Sequence, residues 1–125
     1  MRAGSYLCPD NTVFLILSFE GPDKYSMAGG LGVRVSQLSH ALAKQGFPVQ
    51  LFFAGDPHLP GLEYRVGGRL LMHRWCQWIS QYYPSGVYQG EEAKLYDFSE
   101  SLPNFILERI ARPARGVSDV QRLLP

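Results

Sequence analysis

Apolar residues along the chain fall into stretches with different periods, and the periods set the first expectations. The run Val13–Phe19, VFLILSF, is unbroken and rich in β-branched and aromatic residues, which predicts a central strand covered on both faces. A turn-rich stretch, EGPDKYSMAGGLG, follows it. Leu31, Val35, Leu38 and Leu42 then recur at the spacing of a single helical stripe, with Arg34, Ser36, Gln37, His40 and Lys44 mostly off it. Gly46 is placed to stop that helix, and Pro48 prevents its continuation. VQLFFAG, Val49–Gly55, predicts a second strand, ended by Asp56 and Pro57. A strand, glycine-rich loop, helix, strand unit implies parallel strands joined by a right-handed crossover.

Beyond residue 60 the pattern is more broken. EYRVGGRLLMHRW, Glu63–Trp75, predicts two short strand pieces around Gly67-Gly68, arranged as a hairpin. Trp75, Trp78, Ile79, Tyr82 and Tyr83 stand at helical spacing, and Pro84 closes that segment. GEEAKLYDFSESLPNFILERIARPAR predicts a helix, a break near Pro103 with Ser101 as a candidate cap, and a second helix; Phe98, Leu102, Phe105, Ile106 and Ile110 share a face. Residues 1–11 read as a lead-in and 114–125 as a tail without a partner element. No repeat or low-complexity segment interrupts the 125 residues, which amount to a single α/β domain.

Composition narrows the function classes. With 46% hydrophobic and 18% charged residues the chain is globular, and a formal charge of +1 gives no electrostatic footprint for nucleic acid. Val13–Phe19 is too short to span a bilayer and no small-residue cleavage site follows it, so a cytoplasmic location without a membrane span is expected. Cys8 and Cys76 lie far apart and read as free thiols. His73 and Cys76 have H-x-x-C spacing, but no second pair completes a zinc site, and no metal is expected.

The glycine cluster Gly29-Gly30-Leu31-Gly32 admits two explanations. Either the glycines permit a tight turn and close helix packing, or bare amides at a helix start face an anion. The cluster is not G-x-G-x-x-G and no G-K-[ST] follows, so it matches neither the nicotinamide fingerprint nor a Walker loop. The aromatic series Trp75, Trp78, Tyr82, Tyr83 and Tyr88 reads as a packed face in preference to a sugar-stacking platform. His40 reads as solvated, Asp56 as a turn residue, and Glu91, Glu92 and Lys94 as a solvated helix start. Arg69, Arg74 and Trp75 are candidate contacts for an acceptor, with no motif behind them.

MAGGLGVRVSQLSHALAKQGFPVQLF, residues 27–52, resembles the opening of the glycogen/starch synthase and sucrose-synthase-like retaining glycosyltransferases. The resemblance covers residues 12–57 and is carried by the TVFLILSFEG strand, the Gly-Gly loop, the helix ending in a glycine and the second strand. It implies a GT-B architecture of two Rossmann-like domains, of which this chain is an incomplete first domain, inactive alone. It implies as partners a nucleotide sugar such as UDP- or ADP-glucose, a carbohydrate acceptor and a second glycosyltransferase domain, with no further cofactor. Carried over, Gly29 and Gly30 offer their amides to the donor's diphosphate or sugar, with Leu31 and Gly32 completing the loop. One departure stands out: glycogen synthases carry a lysine two residues before the glycine pair, where this chain has Met27, and Lys24 is out of register. The other readings are a nicotinamide-dependent Rossmann oxidoreductase domain and a non-enzymatic interaction module.

Overall fold

The structure, a computed structural model, describes residues 6–111; the tail from residue 114 and the first five residues of the lead-in lie outside them. The fold is α/β. Strands β1 (Phe14–Leu17), β2 (Val49–Ala54), β3 (Leu62–Arg65) and β4 (Leu70–Trp75) form one mixed sheet in the order β1-β2-β4-β3. The first three strands in that order are parallel, and β3 pairs antiparallel with β4. Helix α1 (Gly30–Lys44) links β1 to β2, a short α2 (Gln77–Ser80) follows β4, and α3 (Glu91–Ala111) ends the described chain. This is the expected strand–loop–helix–strand unit, with the hairpin added to the far side.

Two local predictions hold in atomic detail. Gly46 has a positive φ of 100°, and the Gly46 and Phe47 amides bond to the Ala43 and Leu42 carbonyls, closing α1 in a Schellman motif. Val66, Gly67 and Gly68 all take positive φ in the β3–β4 turn, a conformation that glycine supplies without strain at two of the three positions.

Packing differs from the sequence expectation in three places. First, β2 and β4 are the central strands, while β1 lies at the sheet's edge among the described residues, with Leu15 39% and Leu17 50% exposed. An unbroken apolar run specifies burial but not the number of neighbouring strands. Second, α1 turns Gly32, Val35, Ser39 and Ala43 to the sheet, leaving Leu31 and Leu38 exposed. Small residues let the helix axis approach Val49, Leu51, Phe53, Leu70 and Met72 more closely than a leucine stripe would. Third, α3 runs unbroken through Pro103, and Ser101 is no cap: its hydroxyl donates to Asp97 one turn earlier. Pro103 is on the exposed side, where the carbonyl left without its partner at Ser99 faces water. Leu102 and Phe105 anchor the helix on both sides of the proline.

On the face opposite α1, Phe52 and His73 stack as register partners with ring centroids 4.1 Å apart, and Phe105 meets both edge-on. Gln50 Oε1 lies 2.8 Å from His73 Nε2 in this layer. No group of three or more His, Cys, Asp or Glu among the described residues could hold an ion. No helix among them is long and apolar enough to cross a membrane.

The buried ion pair at the carboxyl end of β4 is a test of what ties the loops to the sheet. Arg74 donates from Nε and Nη2 to both oxygens of Asp23 (2.7 and 3.0 Å), and from Nη1 to Pro60 O and Glu63 (both 2.8 Å). Asp23 and Arg74 are both buried, and Asp23 has no other ion-pair partner among the described residues, so removing Arg74 leaves a buried carboxylate uncompensated. Arg74→Met is expected to cost about 3–5 kcal/mol in urea denaturation, and adding Asp23→Asn to it should recover part of the loss. A change below 1 kcal/mol, roughly that of an exposed pair, would refute the structural role assigned to this pair.

Candidate functional site

The carboxyl ends of the parallel strands carry the loops where open α/β sheets bind ligands. Three segments converge there: Glu20–Gly29 after β1, Gly55–Pro60 after β2, and Tyr83–Gly90 after α2. Between them lies a cleft of about 520 Å³, lined among others by Lys24, Tyr25, Ala28, Asp56, His58 and Tyr88.

Glu20 organises this end of the molecule. Gly29 is the N-cap of α1 and has no side chain with which to cap it. Instead, Glu20 Oε1 accepts the amides of Ala28 (3.4 Å), Gly29 (3.4 Å) and Gly32 (3.2 Å), satisfying donors that a helix start leaves unpaired. Its other oxygen accepts the Tyr88 hydroxyl at 2.5 Å. The Tyr88 hydrogen bond, and then these amides, hold Glu20 below the usual carboxylate range against the opposing effect of burial. The same bond pushes Tyr88 up to about 12.

The glycines separate into two kinds. A Cβ on Gly32 would sit 2.6 Å from Gly21 O, so the close approach of α1 to the β1 loop requires glycine there. Gly29 and Gly30 meet neither demand: a Cβ at either position finds nothing within 4 Å, and neither has positive φ. Nor do the amides of Gly30 and Leu31 reach an acceptor among the described residues. Lys24, on the lining of the cleft, is exposed and forms no ion pair among the described residues. The start of α1 carries two open amides, and the loop leading into it lines the cleft through Lys24, Met27 and Ala28 with one free ammonium, chemistry suited to a phosphate group.

The other residues singled out from the sequence are dispersed. Arg69 is exposed in the β3–β4 turn, at the opposite end of β4 from the glycine loop. Arg74 is at the loop end, but its guanidinium is committed to Asp23, Glu63 and Pro60. Trp75 packs on Phe105, with ring centroids 4.6 Å apart, so it faces α3 and not the cleft. The aromatic series does not form one packed face: Trp78 and Tyr82 are largely exposed, and regular helix in that segment is confined to Gln77–Ser80. His40 bonds to the Ser36 carbonyl, and Asp56 Oδ1 accepts the His58 amide in a turn, as its sequence context suggested.

Lys94 departs most from expectation. It is fully buried, not solvated, and its ammonium donates to Tyr25 Oη, Gly86 O, Val87 O and Gln89 O. One lysine thereby gathers the carbonyls of the 83–90 loop and ties them to Tyr25, setting the wall that carries Tyr88. A GEEAK heptad neighbourhood carries no signal of this, because its partners come from the preceding loop and from residue 25. Cys76, in left-handed conformation at φ 67°, donates to Asp97, and burial, with Asp97 beside it, pushes its thiol well up, so it is an unreactive hydrogen-bond donor.

Comparison with protein-family models, curated proteins and solved structures gave no match to this chain.

Two outcomes follow from the loop geometry. Gly30→Ala is expected to leave the fold intact and to stabilise it by about 0.4–1 kcal/mol, whereas Gly32→Ala should cost about 1–3 kcal/mol. Thermal denaturation of the two variants checks this, and equal effects would contradict the division of the glycines. The Glu20–Tyr88 contact also sets a pH window. Glu20 is lowered on folding, so its contribution is present above the ordinary carboxylate value of 4.5 and is lost as pH falls through its depressed folded value. Tyr88 is raised from 10.0, so its contribution is present below that value and is lost as pH rises toward about 12. The stability difference between wild type and Glu20→Gln should therefore be flat between those limits and shrink outside them.

Proposed function

We propose that these residues form the glycine-loop wall of a nucleotide-sugar-dependent glycosyltransferase. In that reading Gly29 and Gly30 form the rim over which the donor diphosphate lies. The observation that carries it is the pair of glycines for which the fold itself has no use. Gly29 and Gly30 face open space with ordinary backbone angles, and the Gly30 and Leu31 amides point from a helix start with no acceptor. A residue with no side chain at such a place allows a ligand's own bulk to approach the backbone. The resemblance of residues 12–57 to the retaining glycosyltransferases supplies the ligand class. A nucleoside diphosphate gathers negative charge as the sugar leaves, and preorganised amides and the Lys24 ammonium would stabilise it there. Glu20 takes part by fixing the loop, not by touching the donor, since its oxygens are already engaged.

In this reading the acceptor sits mainly on this domain, and most of the donor's remaining contacts come from a second, facing domain. The loop alone supplies few contacts. Two amides and one ammonium, at about 1.5–3 kcal/mol for each charged hydrogen bond, predict affinity near the millimolar range after association costs.

The test uses Gly30→Pro. Proline is favoured at the first position of a helix, so the fold should survive while the amide is removed. In amide chemical-shift titrations, UDP-glucose and ADP-glucose should perturb Gly30, Leu31 and Lys24 of the wild type, and Gly30→Pro should abolish the response without altering the rest of the spectrum. Glucose alone should perturb none of them. A nicotinamide dinucleotide binding more tightly than either sugar nucleotide would transfer the site to the oxidoreductase reading, and no perturbation by any diphosphate would refute both.

A further inference from the structure

A second cleft, of about 390 Å³, lies on the far side of the 83–90 loop, between α2 and the first half of α3. Its volume falls within the range usual for small-molecule sites, about 300–1,000 Å³. Trp78, Tyr82, Tyr83 and Tyr96 line it together with Ile79 and Asp97. Trp78 is 61%, Tyr82 75% and Tyr96 70% exposed, and none of the three stacks on another ring among the described residues. Their π faces are therefore unused within the fold.

Asp97 sets the charge of this cleft. It is more than nine-tenths buried, and it has no ion-pair partner among the described residues. Its oxygens accept only the Cys76 thiol at 3.3 Å and the Ser101 hydroxyl at 2.5 Å, two neutral donors to a group with about four acceptor sites. No lysine, arginine or histidine lines the cleft. Lys94, one turn away on α3, is turned into the loop, where four oxygens surround its ammonium. Glu92 and Glu100 lie one turn to either side of Tyr96 and are exposed, adding negative charge at the rim. A buried carboxylate without an ion-pair partner, beside the open ring faces of Trp78, Tyr82 and Tyr96 (the Tyr83 ring is taken by the Lys94 ammonium, 5.8 Å from its centroid), is complementary to an organic cation.

We propose that this cleft binds a small molecule through a quaternary ammonium head, with the ring faces of Trp78, Tyr82 and Tyr96 around the methyl groups and Asp97 behind them. The lining selects this chemistry over a sugar. A hexose would bring several hydroxyls against Ile79, Ala93 and ring faces and leave most of them unpaired, whereas a quaternary ammonium needs no hydrogen bonds. The proposal is independent of the glycine loop, which lies on the other side of the 83–90 segment.

Choline is the probe. Methyl groups held over ring faces experience ring-current shielding, so the choline N-methyl proton resonance should move upfield and saturate, with a dissociation constant near the millimolar range. Trp78→Ala and Tyr96→Ala, both at exposed positions, should weaken binding by at least about tenfold, and Asp97→Asn by about tenfold. Circular dichroism checks that each variant is folded; if Asp97→Asn is not, the two aromatic variants decide. Sodium chloride at matched ionic strength should leave the affinity of the aromatic contacts in place. No saturable upfield shift, binding unchanged in both aromatic variants, or tighter binding of maltose than of choline would each overturn the assignment.

Discussion

Glu20 connects three pieces of chain that secondary structure alone leaves separate. It follows β1, its carboxylate caps α1 from outside the helix, and its second oxygen holds Tyr88 from the segment preceding α3. A glycine-rich helix start is intrinsically poor: glycine loses more backbone entropy than any other residue and brings no capping side chain. A buried carboxylate on the Ala28, Gly29 and Gly32 amides offsets that cost and fixes where the helix begins. The amides it leaves open are those of Gly30 and Leu31, while their neighbours are held.

Two further buried charges fix the same end of the sheet. Arg74 reaches from β4 to Asp23, 51 residues earlier in the chain, and to Glu63 on the neighbouring strand. Lys94 reaches from α3 to the carbonyls of the 83–90 loop. All three charges are satisfied by groups brought together only by the folded chain. The loops at the carboxyl ends of the strands are thus held by polar contacts, while the sheet below them is held by apolar ones. The division is suited to a site, because hydrogen bonds fix direction whereas apolar burial does not.

The sequence was readable where local rules act. The β1–α1–β2 order, the Gly46 stop and the turn at Gly67-Gly68 follow from period and turn chemistry, and each is present. What was not readable depended on size or on distance. Hydrophobicity identified Leu31, Val35, Leu38 and Leu42 as the buried stripe of α1; Val35 and Leu42 do pack on the core, but in place of Leu31 and Leu38 the sheet takes the smaller Gly32, Ser39 and Ala43, which allow closer packing. Pro103 read as a break, but Leu102 and Phe105 hold the helix across it. Gly29, Gly30 and Gly32 look alike in a sequence, and only the position of Gly21 O separates the one that packing requires from the two it does not. Lys94 read as solvated because its partners are supplied by residue 25 and by the loop that precedes α3.

The two margins of the sheet are unlike. On one, β3 is four residues long and carries Glu63 and Arg65, which pair with each other, and Glu63 also takes Arg74. Charged side chains of this kind discourage another strand from docking. On the other, β1 has no further strand beside it among the described residues, and Leu15 and Leu17 are exposed there. Among the described residues the two margins therefore differ in what they oppose to a further strand: a salt-bridged edge at β3 and an uncharged one at β1.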